Sequence, residues 1–283
     1  MKRILSISTA CFDGYDLPVA FREIADLGVK HVEIAFIQGY TDPFGEEVFS
    51  EAQARTIRNL LSSTGLSCHA LSAHMDLVTD RASEVFKKRM AFAREVGAHL
   101  IITNAGPRAE RNAFLKQMAS LAREAEALDL LIGLENPGDG RDNIVNCGKD
   151  GAEVIQEIGA SQVRLNYDFG NLLSHRFGRV RPEEDYLHAL PFTIHLHVKD
   201  VKATEEGWHF TEIGKGMIDF EAILGRLEAE GLHLPLSLEI PLRVTRGPNA
   251  LPRRKASRVA LDQIQRVLKG SLDFLGRILG EKG

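Results

Sequence analysis

Four side chains able to hold a cation close four apolar runs in the second half of the chain. They are Glu135 in LLIGLEN, Asp168 in VRLNYDF, His197 in FTIHLHVKD and Glu239 in LPLSLEIP, 33, 29 and 42 residues apart. A strand with its crossover helix takes about 30 residues. If the runs are neighbouring parallel strands, the four side chains meet at one end of the sheet. Three carboxylates that close would repel and raise one another's pKa, and a divalent cation removes the conflict. An oxygen-rich donor set with one imidazole nitrogen suits Mn²⁺ first, with Mg²⁺, Co²⁺ or Zn²⁺ as alternatives.

The elements that must position these residues alternate along the whole chain. Short β-rich runs are expected at residues 4–8, 31–36, 67–72, 100–104, 130–134, 163–167, 193–198 and 236–240. Amphipathic helical stretches follow at 17–27, 50–63, 83–96, 110–128, 152–158, 182–190, 220–230 and 256–279. Gly28, Gly65, Gly97, Gly159 and Gly231 each close a helix, where glycine accepts a left-handed backbone. Eight such units imply an α/β protein built as a single (β/α)8 TIM barrel over residues 1–283, with one long loop at about 241–256. No G-x-G-x-x-G follows the first strand, and Gly214-Lys215-Gly216 reads as a tight turn. Alternation along the seventh run places Thr193, His195, His197 and Lys199 in the lumen and Phe192, Ile194, Leu196 and Val198 against the helices. The same logic pairs Gly133 with Glu135, Asn166 with Asp168, and Ser237 with Glu239.

The 283 residues carry a net charge of −4, a pI near 6.2 and 44% apolar side chains. No basic stripe dominates, which argues against a nucleic-acid partner. Cys11, Cys68 and Cys147 are scattered and odd in number, so neither a disulfide framework nor a thiolate zinc site is indicated. The basic start MKRILSISTACFDGY has too short an apolar stretch for a secretory leader and reads as the first strand. No run approaches the roughly 20 apolar residues of a membrane span. A cytoplasmic protein without a membrane partner is expected.

LEN around Glu135, YDFGN around Asp168, HVKD around His197, GKGMIDF at 214–220 and LEIP at Glu239 together resemble the xylose-isomerase-like TIM barrels. That family includes sugar and sugar-phosphate isomerases and epimerases. The resemblance covers the whole chain. It implies one divalent metal held by Glu135, Asp168, His197 and Glu239. The D-x-G-N and H-x-K-D forms are most similar to ribulose-phosphate 3-epimerases and inosose dehydratases. Two departures matter. Asn171 stands where ketohexose 3-epimerases tend to carry histidine, and Ala203 where they tend to carry arginine. The multi-zinc apurinic endonucleases of the family also need a histidine at position 171. The resemblance further implies a homodimer or homotetramer.

The expected activity is proton transfer next to a carbonyl of a sugar or sugar phosphate, through an enediolate. Glu135 and Glu239 would remove and return the proton, and Lys199 would steady the enolate oxygen. Glu33, His74, Asn171 and Arg243 are assigned to substrate: Glu33 to hydroxyls, His74 by its likeness to a site-lining histidine of the family, and Arg243 to an anionic group. The alternatives are a metal-dependent lyase or dehydratase of a keto-polyol, and a non-catalytic metal-binding barrel subunit.

Overall fold

A computed structural model describes residues 3–79 and 81–280. Eight parallel strands close a barrel: β1 (Leu5–Ser8), β2 (His31–Phe36), β3 (Ser67–Ala73), β4 (Leu100–Asn104), β5 (Leu131–Glu135), β6 (Val163–Asp168), β7 (Thr193–Val198) and β10 (Leu236–Leu238). β10 pairs with β1 and completes the ring. Around it lie α1 (Leu17–Asp26), α2 (Glu51–Thr64), α3 (Ala82–Glu95), α4 (Arg111–Ala127), α5 (Gly148–Ile158), α6 (Phe169–His175), α7 (Pro182–Ala189), α8 (Phe220–Ala229) and α9 (Leu261–Leu279). Outward strand residues such as Val32, Ile101, Leu134 and Leu196 pack on these helices in one continuous core. Gly65 and Gly159 end α2 and α5 with φ of 68° and 65°, the left-handed geometry that favours glycine. No helix among the described residues is long and apolar enough to cross a membrane.

The loop expected at 241–256 is folded. Its short strands β11 (Val244–Arg246) and β12 (Pro252–Arg254) join a hairpin, β8 (Asp200–Thr204) and β9 (Gly207–Thr211), in a four-stranded antiparallel sheet of order β12-β11-β9-β8. The sequence pattern does not announce this sheet, because two of its strands are only three residues long and its key pairing, Arg246 with Trp208, joins distant segments. The last helix accordingly begins at Leu261 rather than at residue 256. α6 is also additional, a seven-residue helix directly after β6.

Two β-bulges set the phase of the lumen. Between β2 and β3 the register slips at Val32/Glu33, so Glu33 pairs with Ala70 and His69 is the extra residue. Between β6 and β7 it slips at Leu165/Asn166, which sets Asn166 opposite His195 and Asp168 opposite His197. One extra residue in a strand changes which face the side chains on either side of it occupy. Ile194, expected against the helices, therefore packs in the lumen with Ala70, Leu100, Ile102 and Leu131. Thr193, expected in the lumen, gives its hydroxyl to the Ala189 carbonyl at the end of α7.

Candidate metal centre

Glu135 ends β5, Asp168 ends β6, His197 lies near the end of β7, and Glu239 follows β10 by one residue. All four are at least 98% buried. They offer one ligand atom each, and these atoms all lie within 4.8 Å of one another. His197 turns Nδ1 toward the carboxylates, 3.2 Å from Glu135 Oε2, 3.4 Å from Glu239 Oε2 and 3.6 Å from Asp168 Oδ2.

The surrounding bonds aim these atoms. Asp168 Oδ1 accepts the Asn171 backbone N–H at 2.7 Å and caps α6, which leaves Oδ2 facing the centre. Asn136, the asparagine of LEN, clamps β6 from the neighbouring strand: its amide donates to the Asp168 carbonyl at 2.8 Å and accepts the Asp168 N–H at 2.9 Å. Asn166 donates to Glu135 Oε2 at 3.0 Å, and Asn171 donates to Glu135 Oε1 at 2.6 Å. His197 Nε2 meets Glu33 Oε2 at 2.8 Å, and Ser72 donates to the other Glu33 oxygen at 3.0 Å. A carboxylate on the far nitrogen fixes the imidazole tautomer and orientation and raises its basicity as a ligand.

Lys199 Nζ lies 2.7 Å from Asp168 Oδ2, against Glu239 Oε2, and 3.3 Å from Asn171 Oδ1. It is near enough for an ion pair. Even so, Asp168 Oδ2, Glu239 Oε2 and His197 Nδ1 are buried without a hydrogen bond of acceptable geometry. Three inward-facing donor atoms without hydrogen bonds, at one point, among the carboxylates of Glu33, Glu135, Asp168 and Glu239, fit a divalent cation in type and charge. The titration behaviour reports the surplus of negative charge at this point. Burial opposes a charge on His197, yet Glu33, Glu135 and Glu239 outweigh it and push its pKa well above the usual range. Burial raises Glu239, with Lys199 and His197 opposing and Glu135 and Asp168 reinforcing the rise. Burial also works to raise Glu33, but the adjacent His197 holds it at about 2.

The remaining sequence-derived residues divide. His74 reaches the centre, with Nε2 3.3 Å from Glu135 Oε2. Asn171 bridges Glu135 and Lys199 through its two amide atoms. Glu33 is fully buried behind His197 and is tied up with it and Ser72, so it sits where a ligand-orienting carboxylate would rather than where substrate hydroxyls would meet it. Arg243 is directed elsewhere. Its Nε and Nη2 donate to the Lys255 and Ala256 carbonyls, and Nη1 lies 3.4 Å from Asp13 and 3.7 Å from Asp42. The loop arginine that turns inward is Arg246, which donates to Asn171 Oδ1 at 2.7 Å. It lies over Tyr40 and Phe210, with Cζ 5.5 and 5.9 Å from their ring centroids. Alternation within β11 could have distinguished Arg246 from Arg243 only if the strand had been foreseen.

HVKD and GKG also prove to be one device. The Asp200 carboxylate accepts the backbone N–H groups of Val201, Gly214, Gly216 and Ile218 at 2.8–3.3 Å. A Cβ on Gly216 would collide with that carboxylate, which explains the glycine. The turn therefore anchors the hairpin that follows His197.

A family model described as xylose isomerase-like TIM barrel matches residues 21–266. Among solved structures, an L-ribulose 3-epimerase aligns with a TM-score of 0.72 at 18% identity, covering 99% of this chain and 95% of that one. D-psicose 3-epimerase from Clostridium cellulolyticum H10 aligns at 0.76 with 16% identity and 99% of each chain. The probable 3-DHS dehydratase AsbF from Bacillus anthracis aligns at 0.68 with 14% identity, covering 97% of this chain and 98% of that one. At these identities the likeness is one of fold. No curated protein sequence matched the chain.

Proposed function

The chain belongs to the xylose isomerase-like TIM barrel family, and on that premise we propose that it is a divalent-metal-dependent isomerase or epimerase of a sugar or sugar phosphate. The observation that carries this reading is the convergence of one ligand atom each from Glu135, Asp168, His197 and Glu239 at the C-terminal mouth of the barrel, three of them, Asp168 Oδ2, Glu239 Oε2 and His197 Nδ1, buried without a hydrogen bond. Barrel enzymes assemble their chemistry at that end. Mn²⁺ heads the candidate cations on donor type, with Mg²⁺, Co²⁺ and Zn²⁺ behind it.

Glu135, Asp168, His197 and Glu239 would hold the ion, which when bound supplies Lewis acidity to a substrate carbonyl. The chain's own groups do the rest. β5, which carries Glu135, is separated from β10, which precedes Glu239, by β6 and β7. The two carboxylates thus approach a bound sugar from different sides. One takes the proton beside the carbonyl and the other returns it. Return to the opposite face of the same carbon epimerises the sugar, and return to the adjacent carbon isomerises it. Lys199 holds positive charge beside the Asp168 and Glu239 carboxylates and can meet the oxygen on which negative charge grows. His74 and Asn171 keep Glu135 oriented. Expulsion of a β-hydroxyl from the same enediolate would make the enzyme a dehydratase.

The test is metal analysis of the purified protein, followed by incubation of a ketose and inosose panel in D₂O with each metal restored. About one equivalent of divalent metal, with deuterium washed into recovered substrate and its epimer or isomer, supports the reading. A new ultraviolet-absorbing enone product would make it a lyase. A protein that binds metal but exchanges no label with any member of the panel would sink the catalytic reading.

A further inference from the structure

Three arginines are buried among the described residues: Arg3, Arg89 and Arg246. The first two are fully engaged at their forks. Arg3 meets the Glu228 carboxylate and the Leu232 and Leu234 carbonyls. Arg89 meets both oxygens of Glu46 and the Ala73 and His74 carbonyls. Arg246 is 3% exposed, yet its one hydrogen bond among the described residues is to a neutral amide oxygen, Asn171 Oδ1. Its Nε is buried without a partner. A guanidinium offers five donors, and leaving them unmet away from water is costly. Arg3 Nε and Arg243 Nη1 are also buried without a hydrogen bond, but those two guanidiniums lie against carboxylates, and among the described residues Arg246 lies against none. Arg254 makes two bonds to the Asp13 carboxylate at 2.7 and 2.8 Å and also reaches Asp42, and Arg243 lies against the same two acids.

The position of the fork adds a second observation. It lies flat against Gly138, where a Cβ would stand 2.5 Å from Cζ and 2.6 Å from Nη2. Gly138 has no positive φ that would itself demand glycine. The missing side chain thus makes room for the guanidinium. The residue that holds its one bond, Asn171, donates at 2.6 Å to the candidate ligand Glu135. Arg246 therefore stands one amide away from the metal centre, with unused charge and unused donors.

We propose that the substrate carries an oxyanion group, a carboxylate or a phosphate, and that Arg246 receives it, which makes Arg246 the residue that sets substrate charge. This rests on the sugar reading above and narrows it. A planar fork matches either anion with two parallel hydrogen bonds. The closed latch of Arg243 and Arg254 onto Asp13 and Asp42 holds β11 and β12 over the mouth and so keeps Arg246 in place.

The test is calorimetric titration of the metal-loaded full chain with D-fructose, D-fructose 6-phosphate and D-fructuronate. One charged ketose should bind about tenfold or more tightly than the neutral one, the scale of a charge-assisted pair. Which one it is distinguishes phosphate from carboxylate. Arg246→Gln should erase the preference, read as the ratio of charged to neutral ketose affinity within the same variant, and Arg246→Lys should keep part of it. Gly138→Ala, which displaces the guanidinium without removing it, should also weaken the preference, and it answers the question if Arg246→Gln fails to fold. Equal binding of all three ketoses, or a preference that survives both Arg246→Gln and Gly138→Ala, overturns the assignment. If no ketose binds, the sugar reading fails. Inorganic phosphate then decides Arg246 separately: saturable binding lost in Arg246→Gln upholds an anion site, and no binding refutes it.

Discussion

The base and the mouth of the barrel lumen are made by the same eight strands and have opposite physics. At the base, Ala70, Leu100, Ile102, Leu131 and Ile194 fill the space with hydrocarbon. At the mouth, Glu33, Glu135, Asp168, Glu239, His197 and Lys199 are all at least 98% buried. Burying apolar area stabilises a fold, whereas desolvating charges costs several kcal/mol per ion unless they are paired well. Paired they are, but incompletely, since three donor atoms there lack hydrogen bonds. The base therefore holds the barrel together, and the mouth gathers desolvated charges that the proposed cation would offset. A residue's depth along its strand separates the two roles.

Substitutions at the two ends should then fail in opposite ways. The largest effect is expected at Glu239→Gln. Turnover on the true substrate should fall by about 10³ or more, within the range for loss of an acid–base group. The thermal midpoint of the metal-free protein should hold or rise, because one of several crowded negative charges is gone. Full activity in this variant would end the two-glutamate mechanism. At the base, Leu100→Ala should do the reverse, lowering stability by roughly 2–5 kcal/mol in denaturant titrations with turnover per folded molecule unchanged. A loss of turnover there without a loss of stability would break the division between the two ends.

Glu33 belongs to the mouth but stands behind the four candidate ligands, bonded to His197, and an intermediate effect is expected there. Glu33→Gln should weaken metal affinity by about 10–100-fold, the usual cost of losing a partner behind a metal-bound histidine, as read by competition with a chelator. Unchanged affinity would return Glu33 to a purely structural role. The smallest effect concerns His69, the extra residue of the β2–β3 bulge, whose ring centroid lies 5.8 Å from that of His195. Burial, with His31 and His99 nearby, depresses its pKa from 6.5 to about 4. Between those values the unfolded chain binds the proton and the folded chain does not, so stability declines as pH falls from about 6.5 toward 4. His69→Gln should flatten the plot of thermal midpoint against pH across that window, and an unaltered slope would place the titration elsewhere.

Much of this organisation was legible in the chain itself. Apolar runs and glycine helix stops predict the eight strands within a residue or two, and an ionisable residue at the end of each of the last four strands predicts the centre. Both are local signals: a period of two along a strand, and the fact that a strand's C-terminal end is where its polar residues meet the mouth. Tertiary structure alone decided the rest. It placed Glu33 against His197 across 164 residues of sequence, turned Arg246 rather than Arg243 toward Asn171, and shifted Ile194 into the lumen by one bulge. Each depends on which distant backbone lies alongside and in what register, and that is settled by closure of the whole sheet, which no window of neighbouring residues encodes.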